Sequence, residues 1–485
     1  MILNLLAALC VALALGCAVT WIACPRTQPR PASALLVVFV GLGSGLGISS
    51  VLLFLWLMAT DGAGKAEPVW LTVLAIVLAV VAMHPRWRRH ALQSSLPADT
   101  SRAPWLSICS GLAGVAVAAA FVLMCFHSPH GRWDAWSDWN RHARFMFRGG
   151  PHWRDVFSSA EAAWTATYPM LTPGAVAQGW FFANQESLLA PNAVAFLFAA
   201  SAAGLLTSSL SLLRGRNQGL IAGLILLCSP GFVDQATTQY ADIPLASFYL
   251  GAVLLLCLHD AIGNSPGWLV MAGLMTGLAA WTKPEGLVFT LTLVLVRCIV
   301  VGLGRGLKAW VAELLPFALG LLPVLALVLF FKFHMVGASS YFIQGQTQHT
   351  IIGRVLTGHR YLLIVKAFAT QSMSWGGWGV TLLPMLLLYL LVVGINPNRR
   401  DWTSIGTSFL TITLMACAYF LVYVITPQDL PTQLDQSLDR VLMQLWPLTI
   451  FAFFLLARTP DEAVQEGSSE IASGVQTRSA TESLG

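Results

Sequence analysis

Charge is what this chain has least of. Of its 485 residues, 56% are hydrophobic and only 10% are charged, at a mean hydropathy of +0.70. A soluble domain of this size carries roughly 25% charged residues, so composition alone excludes a water-surrounded globule and points to a membrane protein. The nine cysteines all fall within or at the ends of apolar runs, none in a CxxC pair or a His-flanked cluster. That excludes a disulfide framework and a structural zinc site. A Walker lysine motif is missing, which excludes ATP hydrolysis by that route. The apolar runs hold almost no ionisable residue at their centres, with Glu313 placed near a cytoplasmic end. Proton- and ion-coupled transporters need such groups at the midplane. The net charge of +5 reflects arginines at the ends of apolar runs and gives no footprint for nucleic acid.

What the chain does have is long apolar runs. A span needs about 20 residues to cross ~30 Å of hydrocarbon at ~1.5 Å per residue. By that measure the fold is an all-α polytopic transmembrane bundle of about thirteen helices, near 2–24, 33–59, 68–84, 106–126, 188–213, 218–233, 241–259, 267–281, 285–303, 309–331, 377–395, 404–426 and 441–457. The first run has no Lys or Arg before Arg26 and is as long as a full span. It therefore reads as a transmembrane helix rather than a cleavable signal peptide.

Basic residues alternate between the short loops. Arg26 and Arg30, then Arg86, Arg88 and Arg89, then Arg214 and Arg216, then Arg305 and Lys308, then Arg399 and Arg400 mark one side. Under the positive-inside rule that side is cytoplasmic, with the N-terminus outside and the C-terminus inside. Residues 1–458 then form one transmembrane module, and the Ser- and Glu-rich stretch 459–485 is expected to be a disordered cytoplasmic tail. Two long outer loops, 128–187 and 332–377, have helical apolar periodicity and many aromatics, so interfacial helices are expected in both.

Polar chemistry gathers on the outer side. The stretch GRWDAWSDWNRHARFMFRGG, residues 131–150, places Asp134, Asp138, Arg141, Arg144 and Arg148 on one helical arc. Trp136, Trp139, Ala143, Met146 and Phe147 fall on the other, fitted to the membrane interface or to neighbouring helices. The plain alternative is an interfacial anchor in which Asp138 pairs with Arg141 or His142. In SPGFVDQATTQYADIPL, Asp242 precedes Ile243 and Pro244 as an N-cap would, and Asp234, Gln239 and Tyr240 share its surface. In AAWTKPEGLVF, Thr282 and Glu285 have capping-box spacing. Lys283 is a cation at an outward helix start, a place that favours phosphate. In QSLDRVLMQLWPL, Asp439 and Arg440 open the last span from outside, where a guanidinium meets lipid phosphate.

Taken in order, WDAWSDWNRHARFMF, TYPML, QYADIP, TKPEG and SLDRVLMQLWP resemble the GT-C superfamily of polytopic membrane glycosyltransferases, which includes the protein O-mannosyltransferases and the bacterial aminoarabinose transferases. The resemblance runs from about residue 106 to 457. It implies transfer, with inversion, of a sugar from a polyprenyl-phosphate donor to the hydroxyl of a glycan, glycolipid or protein, at the periplasmic face of a bacterial inner membrane. The general base maps onto Asp134, with Asp138 the second choice. Lys283 and Arg440 would receive the donor phosphate, and Asp242, Tyr240, Glu285 and Tyr168 would bind substrate. Some relatives hold a divalent metal ion, for which Asp242 is the candidate. Many relatives carry two adjacent acidic residues in the first loop, whereas Asp134 and Asp138 stand four apart, so a metal pair there is not supported. A transporter or lipid-linked-glycan flippase and a noncatalytic scaffold are the other classes, the former disfavoured by spans poor in charge.

Overall fold

The structure, a computed structural model, describes residues 1–24, 31–84, 103–158, 167–262, 265–336, 346–374, 377, 382–398, 401–460 and 462. Arg26, Arg30, Arg86, Arg88, Arg89, Arg399, Arg400 and nearly all of the tail after Asp461 lie outside the described residues.

The described chain is helical almost throughout. The first half runs α1 (Ile2–Ala23), α2 (Pro31–Thr60), α3 (Glu67–Met83), α4 (Pro104–His127), α5 (Asn140–Arg148), α6 (Leu171–Ala183), α7 (Leu189–Leu213), α8 (Arg216–Leu227), α9 (Pro230–Thr237) and α10 (Asp242–Ile262). The second runs α11 (Pro266–Thr282), α12 (Glu285–Arg305), α13 (Leu307–Phe330), α14 (Gln348–Val355), α15 (Gly358–Met373), α16 (Leu382–Val393), α17 (Trp402–Ile425), α18 (Leu430–Met443) and α19 (Trp446–Leu456). Among the described residues, nine helices are long and apolar enough to cross a membrane, or up to eleven if two bent pairs each count as one span. The count of thirteen is therefore not reached. Four runs account for the difference from nine, two of them bent and two short. The run near 218–233 is broken by 61° between α8 and α9, and the last run by 47° between α18 and α19. Pro230 and Pro447 stand in the first turn of the second helix of each pair, where a missing N–H costs least. The 17-residue α11 and the described part of the run near 377–395, α16 with 12 residues, are short of a full crossing.

The core sits around α10, almost every residue of which is buried. Close helix crossings rest on small residues, as expected where lipid supplies no hydrophobic drive between helices. A Cβ on Gly45 of α2 would come within 1.9 Å of the Ala12 carbonyl of α1. Within the first long loop, α6 is drawn into the bundle, all but one of its residues buried. The short 3-10 helix Gly150–Phe157 is pinned there by aromatic edges. Trp153 meets Phe54 at 5.5 Å, Phe54 meets Trp281 at 5.0 Å, and Phe157 meets Phe331 at 5.2 Å. This loop is thereby fixed over the ends of α2 and α11 and the turn that follows α13.

Candidate active site

Asp134 lies just before a single π-turn, Ala135–Trp139, closed by the Asn140 N–H on the Ala135 carbonyl. Such turns insert one extra residue and shift the register of the helix beyond them. The two-faced helical arc expected for this stretch breaks here. Asp138 is 2% exposed, with Trp139 beside it at 2%, while Trp136 is 43% exposed. Asp134 keeps 25% of its side chain open to solvent. His142 does not pair with the Asp138 carboxylate; its Nδ1 lies 2.7 Å from the Asp138 backbone carbonyl.

The loop is tied to the turn before α10. The Arg132 N–H donates to the Thr238 carbonyl (3.2 Å) and the Asp134 N–H to the Tyr240 hydroxyl (3.3 Å). Gln239 occupies the left-handed region at φ 62, an uncommon conformation for a side chain of its size. Its amide accepts from Asn140 (3.0 Å) and donates to Asn192 (2.6 Å). Arg132 pairs with Asp234 at 2.6 Å, and Arg144 and Arg148 share Glu186.

Lys283 is held in the two-residue link between α11 and α12. Gly286 makes this link possible, since a Cβ there would sit 2.0 Å from the Ala279 carbonyl. The capping box expected of Thr282 and Glu285 does not form. The Thr282 hydroxyl donates back to the Leu278 carbonyl (2.7 Å), as a threonine in the last turn of a helix readily does. Glu285 instead lies 3.2 Å from the Lys283 ammonium.

These elements converge on one carboxylate. Asp242 is 1% exposed. Its Oδ1 accepts from Lys283 Nζ (2.9 Å) and Gln444 Nε2 (2.6 Å), and its Oδ2 from Arg440 Nη2 (3.1 Å) and Nε (3.3 Å). Its oxygens are thus engaged by side chains rather than capping the helix. Arg440 also reaches outward, with Nη1 2.8 Å from Asp134 Oδ2, and its guanidinium lies over the Tyr240 ring at 4.4 Å. Gln444 accepts in turn from the Tyr419 hydroxyl (2.6 Å). The Tyr168 ring stacks on Trp139 at 5.2 Å, and Tyr168 feels the charges of Lys283, Glu285, Arg440 and Asp134. Burial opposes the charge on Lys283, but Asp242 and Glu285 more than offset it and raise its pKa. Burial, joined by the charge of Asp134, pushes the Asp138 carboxyl up to about 6.

Asp134, Tyr240, Asp242, Lys283, Glu285 and Arg440 therefore meet at one place, with Tyr168 beside them and Asp138 buried behind. Gln444 and Tyr419 were not among the residues singled out from the sequence. They are neutral polar residues in apolar runs, and no spacing marks them. The donor set around Asp242 does not fit a divalent cation, because ammonium, guanidinium and amide donors already occupy both oxygens.

A second ionic cluster lies at the other end of α10 and α12, and it corrects the expectation of charge-poor spans. Arg297, inside α12 and 5% exposed, donates to Asp260 (2.8 and 3.1 Å), Glu313 (2.6 Å) and the Thr407 hydroxyl (3.2 Å). Arg305 adds ion pairs with Asp260 (2.9 Å) and Glu313 (3.5 Å). Ligand atoms of His259, Asp260 and Glu313 lie within 4.8 Å of one another. Two arginines already balance the two carboxylates, so this set is complete without a metal.

Apolar spans around a cluster of acids and bases at the helix ends define a multi-pass membrane protein with a charged site at one end. Residues 157–332 match the model of the dolichyl-phosphate-mannose-protein mannosyltransferase family. The match supports a membrane glycosyltransferase of the GT-C superfamily and contains Tyr168, Tyr240, Asp242, Lys283 and Glu285. No curated protein and no solved structure matches the chain.

Proposed function

We propose that this chain moves a sugar from a polyprenyl-phosphate carrier to an acceptor hydroxyl, with inversion, at the outer (periplasmic) face of a bacterial inner membrane. The acceptor is a cell-surface glycan, a glycolipid or a protein. One observation carries the reading: a single guanidinium, Arg440, joins an exposed carboxylate, Asp134, to a buried one, Asp242.

Before donor binds, Lys283 and Arg440 are each held by carboxylates of the site. Lys283 and Arg440 are the cations that a lipid phosphodiester would meet, and Arg is suited to two-pronged phosphate contact. Asp242 and Gln444 hold their places. As the phosphate takes the outer edge of the Arg440 guanidinium, Asp134 is released from its ion pair and becomes a proton acceptor. The acceptor oxygen then attacks the anomeric carbon from the face opposite the phosphate. The new C–O bond forms as the bond from the anomeric carbon to the phosphate oxygen breaks, and that electron pair leaves with polyprenyl phosphate. The hydroxyl proton passes to Asp134. Charge growing on the phosphate is met by Lys283 and Arg440, already in position.

The test is to supply the reconstituted protein with a radiolabelled polyprenyl-phosphate sugar pool together with envelope glycans, glycolipids and proteins. Label should appear in one acceptor class. Label that stays on the carrier in every combination contradicts the reading.

A further inference from the structure

The π-turn leaves three side-chain polar atoms buried without a hydrogen-bond partner: Ser137 Oγ, Asp138 Oδ2 and Trp139 Nε1. Such atoms are uncommon in folded proteins, because an unmade bond retains the full cost of desolvation. Here they are neighbours in the chain: a hydroxyl that can do either, then an acceptor on Asp138 and a donor on Trp139. Asp138 and Trp139 are both 2% exposed. Trp139 belongs to the same apolar cluster as Tyr240, Ala135 and Tyr168, and Tyr240 is the ring beneath the Arg440 guanidinium. Trp139 and Tyr168 stack nearly parallel, 13° apart. The charge of Arg440 is also felt at Asp138. The unmatched acceptor and donor thus stand beside aromatic rings, immediately behind the cations and the base.

A sugar ring matches this combination. Each hydroxyl both donates and accepts, and the C–H faces of the ring pack on aromatic side chains as other apolar surfaces do. We propose that Asp138 and Trp139 form the subsite for the sugar being transferred, Asp138 Oδ2 accepting from one hydroxyl and Trp139 Nε1 donating to another. The assignment rests on the transfer function proposed for this site and deepens it. It gives Asp138 a positioning task and leaves proton transfer to Asp134.

The experiment measures equilibrium binding to the full-length protein in nanodiscs, with two kinds of probe: bare decaprenyl phosphate, and decaprenyl phosphate carrying a hexose or pentose from a small panel. Trp139→Phe keeps the ring stack and loses only the N–H. Asp138→Asn keeps the size and places an amide where a second acceptor oxygen stood. For the sugar preferred by the wild type, each variant should weaken the sugar-bearing lipid by about tenfold, the scale of one hydrogen bond, and leave the bare lipid within about twofold. A donor lacking the matching hydroxyl should erase the difference between Trp139→Phe and wild type. Equal weakening of both probes, or no change in either, overturns the subsite. So does a wild type that holds no sugar-bearing lipid tighter than the bare one. Failure of transfer with every donor tells against the transfer reading alone, since the binding comparison is made without turnover.

Discussion

The two ends of α10 and α12, the Asp242 end proposed to face outward and the Asp260 end inward, carry ionic clusters of carboxylates and bases that differ in two ways that matter. The two carboxylates on α10, Asp242 and Asp260, are 18 positions apart (260 − 242), about 27 Å along a helix. The inner cluster is balanced, Arg297 and Arg305 matching Asp260 and Glu313, and the guanidinium that bridges its two carboxylates is buried, Arg297 keeping 6% of its side chain exposed while Arg305 reaches the surface at 38%. The outer cluster is unbalanced, the acids Asp134, Asp242 and Glu285 outnumbering the bases Lys283 and Arg440, and its bridging guanidinium is partly open, Arg440 and its partner Asp134 keeping 21% and 25% exposed. A balanced set bridged by a buried guanidinium ties helices together. A set whose bridging guanidinium is partly open has somewhere for an incoming anion to go, and a partner to release when it arrives.

The largest effect that would sharpen this contrast is at Asp134. Asp134→Asn keeps the size of the side chain and removes the proton acceptor, so turnover should fall about 10²- to 10⁴-fold at matched protein amount, with bare decaprenyl phosphate still bound. An Asn variant with wild-type turnover would return this loop to the role of an interfacial anchor.

At the inner end the expected damage is to stability. Asp260→Asn strands the buried Arg297 with one carboxylate fewer, and breaking a buried pair costs about 3–5 kcal/mol. Thermal unfolding in detergent should come markedly earlier, while turnover per folded molecule stays near that of the wild type. Loss of turnover without loss of stability would break the division of labour between the two ends.

The smallest effect concerns pH and the loop beneath the site. Asp138 is pushed up to about 6 by burial and by Asp134. Its contribution to stability is complete below the unfolded carboxyl value and is lost as pH rises through about 6. His142 is lowered by burial to about 4 from its ordinary 6.5. Its contribution is complete above 6.5 and is lost as pH falls towards 4. The two oppose each other, so the wild-type segment should change little between about pH 4.5 and 6.5. Asp138→Asn removes the first and leaves the second. Hydrogen exchange at residues 140–148 should then show protection rising with pH, by up to about 1.4 kcal/mol per unit. A flat profile in the variant would remove His142 from the account.

Much of the architecture was legible because a bilayer accepts only long apolar helices, and such helices show in the sequence as runs. The count of thirteen is not confirmed among the described residues, where two runs contain a bend at a proline-led helix and two others give short helices, features that composition does not register. The gathering of Asp134, Asp242, Lys283 and Arg440 was legible in coarser form, since topology assigned all of them to one side. The features that stayed hidden depend on backbone register and on partners far apart in the chain. The π-turn reverses the exposure expected of Asp138 because a helical wheel assumes an unbroken 3.6-residue period. Glu285 has the spacing of a cap, yet it serves Lys283. Arg297 stands alone in LVLVRCIV, and its partners come from α10, α13 and α17, which no local pattern connects.

The central claim is that the outer cluster receives a lipid phosphate and the inner one does not. It is tested most directly by equilibrium binding of decaprenyl phosphate to the wild type and to three single variants: Arg440→Ala, Lys283→Ala and Arg305→Ala, the last at a position with 38% of its side chain exposed. Binding should fall at least about tenfold in the first two, where a charge-assisted contact worth roughly 1.5–3 kcal/mol is lost, and stay near wild type in the third. Binding that survives both outer variants, or that is lost only with Arg305→Ala, would contradict the assignment of the site.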